Sequence, residues 1–169
     1  MKNYIKVGQF IVALVFVIFL SGCNLSSDSE TEGKLDGTWR TLQYETEDGM
    51  QMKVTETVTY NAGSHTFDAK MSLDLVSPLN MKMLTLKYSG TWRATKSKLI
   101  GTIDKNSLDF SFSNMVDKSD RTELEKEFMH ELEKGSFIDG GKILEISSDE
   151  FKLEDESDGT LYEYKRVND

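Results

Sequence analysis

The sequence predicts an all-β domain of about eight to nine antiparallel strands with one amphipathic helix near residues 120–134. Three observations predict it. From Leu35 onward apolar residues recur at every second position, the spacing of strands that bury one face. Turn-forming residues separate these runs at intervals suited to a sandwich or barrel. One stretch alone, after Asp120, shifts to helical spacing.

The tetrad GTWR opens the domain at residues 37–40 and recurs at 90–93, and the two copies hold the only two tryptophans. The residues beyond the tetrads share no pattern, so the copies read as separate packing anchors rather than a duplication. Each glycine lets backbone or a ring approach closely, and each tryptophan supplies a large buried area. Met50, Met52, Val54, Val58 and Tyr60 then share one strand face, on which Glu56 is the odd polar residue. The turn NAGS, residues 61–64, tolerates positive φ. Phe67, Ala69, Met71, Leu73 and Leu75 alternate next, followed by Leu84, Leu86, Tyr88, Gly90, Trp92 and Ala94. Met81 and Met83 have the opposite parity to Leu84, which calls for a bulge or an exposed apolar edge.

Shorter strands follow at 99–103 and 108–112. Residues 120–123 fit a capping box, Leu124, Phe128 and Leu132 recur at helical spacing, and Gly135 stands where a helix would stop. Strands at 142–146, 150–154 and 160–167 close the chain, the last two flanking Asp158-Gly159, a strong hairpin signal.

The amino terminus has a different character. Lys2 and Lys6 precede 11 unbroken apolar residues at 10–20, too few for a bilayer span of about 20 and suited to a signal peptide over residues 1–22. The run ends in LSGC, residues 20–23, which resembles the lipobox of bacterial lipoproteins. That resemblance implies cleavage before Cys23, a diacylglycerol thioether on its sulfur, and acylation of the new terminus by a chain such as palmitate. Two or more acyl chains, at about 0.8 kcal/mol per buried methylene, hold a protein at a membrane almost permanently. The only cysteine is then consumed by the anchor, which leaves no thiol for a disulfide, a metal or a nucleophile. Residues 23–34 read as the lipidated cysteine and a flexible acidic tether, NLSSDSETEGK, and 35–169 as the domain. Losing Lys2 and Lys6 leaves 18 basic against 29 acidic residues, a formal charge of −11, which disfavours nucleic acid and anionic lipid as partners. Asn24, in place of an aspartate after the cysteine, points to the outer membrane, at its periplasmic or surface face. A Gram-positive plasma membrane is the alternative.

LDGTWR at 35–40, YSGTW at 88–92 and LYEYKRV at 161–167 together resemble the lipocalin-like, calycin-type domains of bacterial lipoproteins. The resemblance implies an antiparallel up-and-down barrel in which Trp39 packs across the closed end beneath Arg166, a pairing with a cation–π motive. Trp92 is the second structural anchor. The helix departs from the pattern: it precedes the last three strands, whereas many lipocalins place it after the barrel.

Catalysis finds little support. His65 and His130 are the only histidines, and the nucleophile-elbow, zinc-helix and phosphate-loop motifs are missing. EDESDGT, residues 154–160, mimics the start of a calcium loop but puts Lys165 where the closing acid belongs. Met50/Met52 and Met81/Met83 could offer thioethers to Cu(I), or serve as pliant lining of an apolar cavity. No metal or cofactor is expected. Glu56 stands either at a barrel mouth or where it orients the polar end of a ligand. The expectation is a non-catalytic, membrane-anchored binding protein whose small apolar or amphiphilic ligand contacts Glu56, Phe67, Met71, Leu73, Leu86 and Tyr88. The alternative is a filled barrel acting as an interaction module, an accessory subunit of an outer-membrane complex or an inhibitor of an external enzyme.

Overall fold

The computed structural model describes residues 27–47, 50–77, 81–133, 140–156 and 159–168. The segments read as signal peptide and lipobox, Cys23 included, lie outside them. Nine strands follow in order: β1 (Gly37–Glu47), β2 (Met50–Asn61), β3 (Thr66–Ser77), β4 (Met81–Ala94), β5 (Lys98–Ile103), β6 (Asp109–Phe112), β7 (Gly140–Ile146), β8 (Glu150–Glu154) and β9 (Leu161–Arg166). Helix α1 (Ser29–Leu35) precedes them, and α2 (Lys118–Glu133) lies between β6 and β7.

All strand pairings are antiparallel. β1, β2, β3, β4, β5, β7, β8 and β9 pair in that order, and β9 returns to β1 through Trp39–Arg166, Arg40–Lys165 and Thr41–Tyr164. The result is a closed, eight-stranded, lipocalin-like barrel with one extra strand. β4 has 14 residues and serves two partners on one side: its Gly90–Ala94 portion pairs with β5 and its Leu84–Lys87 portion with β6.

The wall is uneven. β1 to β4 run 11 to 14 residues, β5 to β9 only 4 to 7. At about 3.3 Å per residue the long hairpins stand roughly twice as tall as the strands opposite. Their extra height carries Met50, Met52, Leu75, Met81 and Met83. The parity conflict at Met81 is resolved by a bulge: Leu73 pairs with Leu84 but Asp74 pairs with Lys82, so Met83 is skipped and Met81 faces Leu75 on the apolar side.

The last part of the stretch read as a tether is ordered differently. Ser29–Leu35 is helical, with the Asp28 side chain accepting from the Glu30 and Thr31 amides. Its composition is polar, yet Glu32 and Leu35 are buried. Glu32 Oε1 accepts from the Ala94 amide at 3.2 Å, Glu32 Oε2 meets His65 Nε2 at 3.2 Å, and the Asp28 amide donates to the Ala94 carbonyl. These hydrogen bonds, together with Leu35 buried in the apolar core, dock this helix across one barrel end.

α2 also begins earlier than expected, at Lys118, so Asp120 lies inside its first turn rather than at its cap. Arg121 fastens that turn, donating from Nε to the Val116 carbonyl and from Nη2 to the Ser113 carbonyl, each at 2.8 Å. Leu124 is buried against Met52, Val54, Leu73, Leu75 and Leu84, which sets α2 at the end opposite α1. The side chains of Phe128 and Leu132, and Gly135, lie outside the described residues.

Candidate functional site: a polar band inside the barrel

Strand register divides the interior into three levels. The lowest, beside α1, is filled with rings. Trp39 meets Phe151 edge-on at 4.8 Å, Phe151 stacks on Tyr164 at 4.4 Å, and Tyr60 leans on Trp92 at 5.0 Å. Trp39, Trp92, Phe67 and Phe151 are all fully buried. The Trp39 indole donates to the Leu35 carbonyl at 2.7 Å, and the Trp92 indole to the Asn61 carbonyl at 3.3 Å. The Arg166 guanidinium lies 4.1 Å from the Trp39 ring centroid. It donates to the carbonyls of Lys34 and Asp36 at 2.8 Å and to that of Ser148. Arg166 thus satisfies carbonyls at the C-terminus of α1, where a cation is favoured. This end is shut.

From Phe151 and Tyr164 in that floor, one row of paired residues continues through Thr41, Glu56, Met71, Leu86 and Phe110 at the middle level, each opposite the next across β8, β9, β1, β2, β3, β4 and β6. Glu56 stands midway along β2, away from the rim where a mouth residue would sit. Its carboxylate accepts from the Tyr164 hydroxyl at 2.7 Å and from the Tyr88 hydroxyl. Thr41, only 6% exposed, pairs with both Glu56 and Tyr164, and its Oγ1 is buried without a hydrogen-bond partner among the described residues. Met71 and Phe110 pack against both the lower and the upper apolar clusters.

The upper level is rich in methionine. Met50, Met81 and Met83 are partly buried around Met52, Val54, Leu73, Leu75, Leu84 and Leu124, with Phe110 and Phe112 stacked beside them at 6.1 Å. Inward-facing Gln43, Glu45, Met50, Glu56, Met71 and Met81 all keep part of their surface accessible.

Of the residues expected to line a cavity, the structure brings Met71, Leu86 and Glu56 into one row, with Leu73 above and Tyr88 below. Phe67 sits apart in the aromatic floor, against Tyr60 and Tyr88. Tyr164 and Thr41 escaped sequence reading. The alternation in "LYEYKR" marks Tyr164 as inward, but its partner Glu56 is 108 residues away. Among the described residues no three or more histidine, cysteine, aspartate or glutamate side chains are grouped to hold a metal. No protein-family model and no curated protein matches the chain.

Proposed function

We propose that the chain is a lipid-anchored, lipocalin-like protein of the bacterial envelope that binds a small apolar or amphiphilic molecule inside its barrel without transforming it. One observation carries the ligand reading. A hydrogen-bonded carboxylate, Glu56, sits halfway down an interior whose floor is closed by aromatic rings and whose upper wall is accessible methionine. Binding sites for such molecules are mostly apolar with a few fixed polar groups, and methionine adapts its shape to varied apolar surfaces.

Titration with the neutral fluorophore N-phenyl-1-naphthylamine tests it. Saturable one-to-one binding is expected, weakened at least ten-fold by Met71→Trp, which fills the middle level. An absence of saturable binding sinks the ligand reading in favour of an interaction module. That second reading has its own support: Leu42, Tyr44 and Leu161 are 48%, 58% and 59% exposed on the outer face of neighbouring strands β1 and β9, and apolar groups so placed suit a protein contact.

The anchor rests on the lipobox at residues 20–23 and the apolar run before it. Cys23→Ala should release the protein from membranes; retention of that variant in the membrane fraction would refute lipidation. The outer membrane is the proposed site, with a Gram-positive plasma membrane as the alternative.

A further inference from the structure

Above its aromatic floor, the charged groups that the barrel turns inward are carboxylates. Above Trp39, the inward positions of β1 are Thr41, Gln43 and Glu45, and β2 contributes Glu56 between Val54 and Val58. Every lysine of the nine strands alternates to the outer face: Lys53, Lys70, Lys82, Lys87, Lys98, Lys142, Lys152 and Lys165. Arg166 is the one inward cation of the strands, and it is spent on Trp39 and three carbonyls at the closed floor. Glu56 therefore has two hydroxyl donors and no ion-pair partner among the described residues.

A partly buried carboxylate without a counter-charge is costly unless something compensates it. Tyr88 and Tyr164 compensate in part. Beside them lies a second, independent observation: Thr41 Oγ1 is buried opposite both Glu56 and Tyr164 and has no hydrogen-bond partner among the described residues. A hydroxyl oxygen and a carboxylate oxygen are both acceptors, and an ammonium carries only donors. Resting on the reading that the barrel takes a ligand, we propose that this ligand is a cationic amphiphile, an aliphatic amine. Its ammonium seats between Glu56 and Thr41, and its chain runs past Met71 and Leu73 to the methionines above. An anionic amphiphile is disfavoured by the same arrangement, since its head would meet the like charge of the Glu56 carboxylate.

A matched series tests head-group choice separately from ligand binding. Dodecylamine, dodecanol and dodecanoate, each below its micellar concentration, are titrated by calorimetry at pH 7 in 0.5 M NaCl. The salt screens attraction of amines to the acidic outer surface, because the Debye length falls to a few Å. Dodecylamine should bind at least ten-fold tighter than dodecanol, and dodecanoate weakest. Glu56→Gln should bring the amine to within about three-fold of dodecanol. Thr41→Val, close in shape, should weaken the amine several-fold and serves if Glu56→Gln folds poorly. If dodecanoate matches or exceeds the amine, or if neither substitution alters the preference, the head-group inference is overturned while the apolar pocket stands. If none of the three binds, the ligand reading fails and takes this inference with it.

Discussion

Arg166→Ala probes how the closed end is held. Arg166 makes three hydrogen bonds to backbone carbonyls, at Lys34, Asp36 and Ser148, and covers the Trp39 ring at 4.1 Å. At about 1 kcal/mol net per hydrogen bond and about 1 kcal/mol for a partly exposed cation–π contact, the gross sum is about 4 kcal/mol. The freed carbonyls sit near solvent and regain water, which lowers the expected loss to about 2–3 kcal/mol. For a domain of this size that is a fall of roughly 10 °C in Tm. Urea unfolding followed by tryptophan emission measures it directly, because the lost cover exposes Trp39 and should shift its emission to the red. Arg166→Lys is the informative control. A single ammonium keeps the charge but cannot fork across three carbonyls, so it should recover less than half of the loss. A loss below 1 kcal/mol for Arg166→Ala, or full recovery with lysine, would refute the argument that the fork seals α1 to the barrel.

Other substitutions test neighbouring claims. Gly90→Ala would place a Cβ 2.0 Å from the Thr102 carbonyl oxygen and 2.9 Å from the Phe67 ring; β4 and β5 must part, at about 3 kcal/mol or more, and an unchanged melting temperature would show the ladder to be looser than drawn. Glu32→Ala leaves the buried Ala94 amide unsatisfied and should cost about 1–3 kcal/mol, with faster hydrogen exchange at Ala94 as its specific mark. Lys152 holds its proton above the ordinary 10.5, because it is hydrogen-bonded to Glu145 and Glu150. Its contribution is therefore complete below pH 10.5 and lost as pH rises through the raised value, so alkaline unfolding above 10.5 should be less steep in Lys152→Met than in the wild type.

How much of this was legible depends on whether a residue's role is set by its neighbours in sequence. Alternation is local, and it marked the long strands to within a few residues. The parity break at Met81 and Met83 is local too, and it announced the bulge that the β3–β4 register contains. The two GTWR glycines were readable as sites of close approach. Gly37, at φ +113, lies under the Arg166 guanidinium, and Gly90 lies against Thr102 and Phe67. Helix α1 was not readable, because the pattern of apolar residues carries no trace of it. Its docking depends on Glu32 reaching Ala94, 62 residues away, and a polar segment held by distant hydrogen bonds has the composition of a linker.

The same distinction bears on the polar band. Glu56 stood out in sequence because it broke an apolar face, but that break alone fits a rim as well as an interior. What separates the two is the identity of its neighbours across the barrel, and closure supplies them: Tyr88 through the β3 and β4 hairpins, Thr41 and Tyr164 through the three-residue ladder that joins β9 to β1. That ladder is short, so the position of Glu56 relative to Tyr164 depends on only a few backbone pairs. A substitution that loosens the β1–β9 seam, such as Arg40→Pro, which removes the ladder amide paired opposite Lys165, should then weaken ligand binding as well as stability. The two effects part under a simple measurement. Gly90→Ala disturbs the far seam, between β4 and β5, and leaves the Glu56 row paired. If Arg40→Pro and Gly90→Ala, compared at temperatures where both remain folded, reduce probe affinity equally, the band is no more than packing. Selective loss in Arg40→Pro makes the seam part of the binding site.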